Sequence, residues 1–240
     1  MLSTKAKAVI IIAIIASGVV ALLLAPILPI TYSGEKLVDF DASVQQIDLI
    51  ANIEDSDIRI QYDNSSAAPL FNMTYVYILR HAIIVPDPTV TITLVNNTAG
   101  NILTVQLTVD FPTLFVNTGA LSMTYLTINP NIISNLSVYA GSGNIGLHTE
   151  NYLNKTFVDI DFSADSGTIF IDLESDCIVT EDIDLRVGSG NIDADVASGC
   201  TIDDFLGFAG SGNINFDIGA NCEIMDRLSA NATSGNIVVT

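Results

Sequence analysis

One phrase recurs through the second half of the chain. "GSGNI" stands at 141–145, 188–192 and 210–214, with "DSGTI" at 165–169 and "TSGNI" at 233–237. With the Ser or Thr before the second glycine as a marker, the copies fall at Thr118, Ser142, Ser166, Ser189, Ser211 and Ser234. Their spacings are 24, 24, 23, 22 and 23 residues. Self-similarity at a fixed period in the twenties means one supersecondary unit stacked on copies of itself. The sequence therefore predicts an all-β, parallel β-solenoid of 22–24 residues per turn over 118–240.

Other features keep step with the marker. Three residues after it come Ile145, Ile169, Ile192, Ile214 and Ile237; two further on come Leu147, Ile171, Ala194, Phe216 and Val239. Polar residues fill the gaps, which is the period-two pattern of a strand with one buried face. Counting back six, four and two residues finds a second inward set, including Leu136, Val138 and Ala140, then Ile160, Phe162 and Ala164. Leu228, Ala230 and Ala232 close that series. Cys177, Cys200 and Cys222 lie eleven after their markers, with Leu153 in the same place one turn earlier. They are expected to stack at a corner as buried free thiols. A disulfide between neighbouring turns is the geometric alternative.

The phrase itself is a corner. Gly143, Gly167, Gly190, Gly212 and Gly235 would supply positive φ, and Ser142, Ser166, Ser189, Ser211 and Ser234 would tie down freed amides. Asn144, Asn191, Asn213 and Asn236 form a predicted ladder, interrupted by Thr168. A phosphate loop would need a helix after the glycines, and here a strand follows every copy. A calcium-binding nonapeptide roll would need a period of about nine, and no GGxGxD occurs.

Two acidic patterns remain. Six after the marker, on the outward face, stand His148, Asp172, Asp195 and Asp217. Carboxylates stacked about 4.8 Å apart repel, and solvent or a row of calcium ions on Asp172, Asp195 and Asp217 would offset that. Asp159, Asp182 and Asp204 form an opposite column ending at Arg227. Polysaccharide-cleaving β-helices also carry acids on one outward face, as Asp159, Asp161, Asp182 and Asp184 would be. Those enzymes add long loops and basic residues, and this chain has short turns and few Lys or Arg. No catalytic residue and no resident cofactor are expected.

The N-terminus is of another kind. After Lys5 and Lys7, residues 8–30 carry no charge and are apolar apart from Ser17, Gly18, Pro26 and Pro29. At about 1.5 Å per residue this covers roughly 35 Å, enough for one transmembrane helix. The lysines predict residues 1–7 in the cytoplasm and everything after Ile30 outside. The run is longer than a signal-peptide core and lacks a clean cleavage site, so the anchor is expected to stay. All 27 acidic residues follow it, against six basic ones, a formal −21 for the external part. That field repels phosphate backbones and excludes nucleic acid as a partner. Six N-x-S/T sequons, at Asn64, Asn72, Asn96, Asn135, Asn154 and Asn231, also follow the anchor.

Residues 31–117 lose the beat and are expected to be a less regular β-rich part, forming distorted turns or a cap. "EDSDIRIQ" at 54–61 and "TAGNILTV" at 98–105 read as weak copies of the phrase, and "YVYILRHAIIV" as a buried strand or short helix.

The run "LTINPNIISNLSVYAGSGNIGLHT" at 126–149, with Ile128, Pro130, Leu136, Val138 and Ser142–Ile145, resembles the putative-adhesin β-solenoid family of bacteria and archaea. The likeness covers about 118–240 well and 45–117 loosely. It implies a surface role as adhesin or envelope component with no catalytic residues to carry over. The combined expectation is a single-pass membrane protein displaying an external β-solenoid to a protein or glycan partner. A self-assembling scaffold, pairing through the strand at 234–240, and a calcium-dependent binding module are the alternatives.

Overall fold

The structure, a computed structural model, describes residues 28–39, 41–62, 69–81, 91–110, 116–117, 122–149, 152 and 154–240. Every regular element among them is a strand, and sixteen strands join in one sheet. The repeat supplies β9 (Ile133–Ser142), β10 (Ile145–His148), β11 (Thr156–Leu173), β12 (Ile178–Val196), β13 (Thr201–Ser211), β14 (Ile214–Ile218), β15 (Glu223–Ala232) and β16 (Ile237–Val239). Successive copies pair in parallel, Ser142 beside Ser166, Ser189 and Ser211, and Ile145 beside Ile169, Ile192, Ile214 and Ile237. At each Ser-Gly phrase the sheet bends, so its two ladders face each other in a nearly closed, barrel-like wrap around one apolar core. Leu136, Ile160, Phe162, Ile183 and Phe205 from one ladder meet Ile145, Ile169, Ile171, Ile214 and Phe216 from the other, all fully buried.

The corners show why glycine is required. Gly143, Gly167, Gly190, Gly212 and Gly235 have φ between +128° and +142°, where an L side chain is strained. Each also packs on the corner before it: a Cβ at Gly190 would lie 1.7 Å from the Gly167 carbonyl oxygen. The asparagine ladder forms, but mainly to the backbone. Asn191 Oδ1 accepts from the Asn213 N–H at 3.0 Å, and Asn213 Oδ1 from the Asn236 N–H at 3.1 Å. Asn144 Oδ1 serves the Thr168 N–H at 2.8 Å, and Asp57 starts the series by accepting from Asn144. Cys177 and Cys200 are buried, Cys222 half-buried, and all three are free thiols. Leu153 lies outside the described residues.

The first half is more ordered than its sequence suggests, and ordered differently. It comprises β1 (Leu28–Val38), β2 (Gln46–Asp55), β3 (Asp57–Tyr62), β4 (Phe71–His81), β5 (Thr91–Ala99), β6 (Ile102–Asp110), β7 (Val116–Asn117) and β8 (Met123–Ile128). β2 and β3 make a full rung beneath the repeat, with Asp55 beside Ser142 and Ile58 beside Ile145. β6 and β8 then pair in parallel on the far side of that rung. The chain therefore lays its second rung outside the first and returns over it, through residues 129–132, to start β9. This out-of-order stacking hides the period. The spatial predecessor of Ser142 is Asp55, 87 residues earlier, so the 24-residue step from Thr118 is not a rung spacing; Thr118 itself lies outside the described residues.

Three other expectations are corrected. "TAGNILTV" is not a corner: Gly100, at φ +65°, makes the tight turn of the antiparallel β5–β6 hairpin. Leu28–Ile30, expected to end the membrane span, belong to β1, antiparallel to β4; among the described strands β1 lies at an edge, where Pro29 costs no central hydrogen bond. Residues 1–27, and with them the rest of the span, lie outside the described residues; no described helix is long and apolar enough to cross a membrane. Finally, Leu228, Ile237 and Val239 keep their parity but remain 41%, 44% and 45% exposed, because no described strand covers β15 and β16.

Candidate binding surfaces

A β-strand that buries every second residue presents the others in straight columns across a ladder. On the β10–β16 face, His148, Asp172, Asp195 and Asp217 stand in adjacent registers. His148 Nδ1 lies 3.7 Å from Asp172 Oδ2, and Thr240 donates to Asp217 at 3.3 Å. Burial, with Asp172 and Asp217 on either side, pushes the Asp195 carboxyl above its ordinary range. The column is thus real, yet its carboxylates run in line rather than converge. Among the described residues no three His, Cys, Asp or Glu side chains come together to hold a metal.

The β9–β15 face carries the second column, and a cation answers only its last member, Asp204. Arg227 Nη2 lies 2.9 Å from Asp204, and Arg186 grips Asp184, with Nε at 2.9 Å. Asp159 has no such partner among the described residues. Next to a register shift between Phe157 and Ile160, its Oδ1 is buried without a hydrogen bond. Burial, then Asp161 and Asp182, push its carboxyl up to about 6. A raised carboxyl binds more protons folded than unfolded, so stability falls as pH rises from about 4 towards 6. Asp159→Asn is expected to stabilise at pH 7.5 by about 1 kcal/mol, discounted for its solvent-facing half, and to do nothing at pH 3.5. Urea melts at the two pH values check this; equal midpoint shifts at both would refute it.

Lys155 is the buried cation that sequence reading missed, where it served only as the middle of the Asn154 sequon. It is 4% exposed. Its Nζ donates to the Pro130 carbonyl at 3.1 Å and to that of Ile132, and lies 4.7 Å above the Tyr62 ring. Burial pulls its pKa down to about 7. These bonds tie the return segment 129–132 to the residue that leads into β11. A cavity of about 240 Å³ adjoins it, lined in part by Tyr152 and Asn154.

The sequons divide by exposure. Asn96, Asn154 and Asn231 are exposed and Asn135 is half-buried on the outward parity. Asn72 is half-buried, its amide donating to Glu35 at 2.6 Å; Asn64 lies outside the described residues.

No protein-family model and no curated protein matches the chain in sequence. Solved structures do match in fold. A putative cell adhesion protein from Clostridium sporogenes aligns over 88% of this chain and 100% of its own, at 12% identity and a TM-score of 0.52. A putative adhesin from Parabacteroides merdae covers 88% of this chain and 96% of its own, at 12% identity and a TM-score of 0.28. A putative lipid binding protein from Parabacteroides distasonis covers 88% and 96%, at 14% identity and a TM-score of 0.24. Only the first supports an argument, and at that identity the argument concerns the fold: an all-β sheet of the kind found in a structure classed with cell adhesion.

Proposed function

We propose that this chain is a membrane-anchored, extracytoplasmic β-solenoid with an adhesin-like or envelope-structural role and no catalysis. The observation that carries the reading is the likeness to the Clostridium sporogenes structure over 88% of this chain. The geometry agrees with it: two ladder faces offer columns of outward side chains across successive rungs, a format for contacting an extended surface. The apolar run at 8–27 would hold the chain in the membrane, with residues 1–7 inside and the sheet outside. Protease protection of the full chain in intact cells tests this; digestion of the sheet from outside is expected, and its full protection would overturn the topology. For adhesion, beads coated with the full chain in detergent should attach to cells or envelope fragments, and attachment no better than albumin-coated beads would sink that role.

A self-assembling scaffold is the second reading. Among the described strands β16 pairs only with β14 and β15 only with β13, and Met225, Leu228 and Ile237–Val239 are exposed there. A second copy pairing through 234–240 would cover it. The calcium-dependent alternative places ions along Asp172, Asp195 and Asp217. Size-exclusion with light scattering, with and without calcium, separates these. The adhesin reading expects a monomer in both conditions, and Asp195→Asn decides whether any calcium response belongs to the column.

A further inference from the structure

Glycine in the middle of a strand weakens it and marks a place where a ligand or another backbone comes close. Most described glycines have an internal reason. The corner glycines need their positive φ; Gly207 leaves room for the Phe216 ring, which a Cβ would meet at 2.5 Å. Gly146, in β10, is different. Its φ is ordinary, and a Cβ there would meet nothing nearer than His148 Nε2 at 3.4 Å, an ordinary contact. It is required neither by backbone conformation nor by packing.

What its missing side chain creates is a notch in an outward column. Gly146 stands between Arg59 on β3 and Phe170 on β11. The groove over it measures about 390 Å³ and includes Asp57, Arg59, Met123, Asn144, His148 and Phe170 in its lining. That is within the roughly 300–1,000 Å³ of small-molecule sites. His148 turns Nδ1 towards Asp172, leaving Nε2 over the glycine, and its ring lies 5.1 Å from that of Phe170, tilted by 39°. Asp57, in the lining, accepts both the backbone and side-chain N–H of Asn144, at 2.8 and 3.0 Å, and Asp172 Oδ2 stands 3.7 Å from His148 Nδ1. Arg59 is exposed and makes no ion pair with any described residue, whereas Arg186 and Arg227 each hold an aspartate.

We propose that the Gly146 notch is a binding site for a carboxylate-bearing sugar, with the ring over the glycine and against Phe170, a hydroxyl at His148 Nε2, and the carboxylate on Arg59. The aromatic face suits the apolar side of a pyranose, and a guanidinium with no ion-pair partner among the described residues suits a carboxylate, which it can grip with two parallel hydrogen bonds. In a chain this acidic an anionic ligand needs that cation, so Arg59 governs which sugars enter. The proposal deepens the adhesin reading by naming a glycan class and its site.

The test uses the full chain in detergent, titrated calorimetrically with tetragalacturonate and with the same oligosaccharide after carboxyl reduction. Wild type is expected to bind the acid at least tenfold more tightly than the reduced form. Arg59→Gln should remove that preference. Gly146→Val should lose binding of the acid at least tenfold while its melting temperature holds or rises, because valine suits a strand and the notch has room. Equal binding of both sugars by wild type, no binding of either, or unchanged binding by Gly146→Val would each overturn the proposal. Bead attachment separates this site from the broader role: attachment retained by Gly146→Val leaves the adhesin reading standing without this site.

Discussion

Gly190→Ala is expected to cost roughly 3–5 kcal/mol, combining the strain of a positive φ with a backbone clash. Gly190 has φ +139°, and the new Cβ would lie 1.7 Å from the Gly167 carbonyl oxygen. The clash is with the main chain of the preceding rung, so no side chain can swing away. Either the corner shifts and pulls the parallel ladders out of register on both arms, or the rung opens. For a chain of this size each kcal/mol lowers the melting temperature by about 2–4 °C, so a loss of about 10 °C is expected. Gly146→Ala is the internal control, predicted to lose nothing. A Gly190→Ala melting temperature within a degree or two of wild type would show that the corners are looser than this geometry requires.

Phe205→Ala is the second large effect, about 3–5 kcal/mol for an aromatic deleted from a packed core. Phe205 is fully buried and stacks on Phe216 across the two ladders, with ring centroids 4.3 Å apart and planes 19° apart. Three residues on, Phe208 points outwards and is 43% exposed. Phe208→Ala is therefore expected to stay within about 0.5 kcal/mol. Chemical denaturation of the pair measures the parity of β13 directly. Comparable losses at both sites would mean that the outer face is covered, or that the register is wrong.

Much of the fold was legible because parallel stacking imposes the same demand on every rung. A glycine that must avoid the carbonyl before it, and an asparagine that must feed the amide after it, leave their spacing in the sequence. The acidic columns were legible for the same reason, since residues at equal offsets from the corner become neighbours. Lys155 was not, because its partners are carbonyls of a return segment whose course depends on the out-of-order rung. Nor was Arg59. A lone arginine 87 residues before Gly146 in the chain has no periodic signal, and only the β3–β10 pairing makes them adjacent.

What the sequence by itself determined was local and repetitive: the corner chemistry, the inward parity of each arm, and the parallel register from Ser142 onwards. Alternation and glycine placement are short-range properties, and each copy states them again. Tertiary structure alone decided which rung lies beside which in the first half, which aspartates find a cation, and where a gap in a column becomes a groove. Those outcomes depend on contacts between residues far apart in the chain. Backbone pairing between strands discriminates weakly among partners, and the order of stacking is settled only when the whole apolar core is buried together.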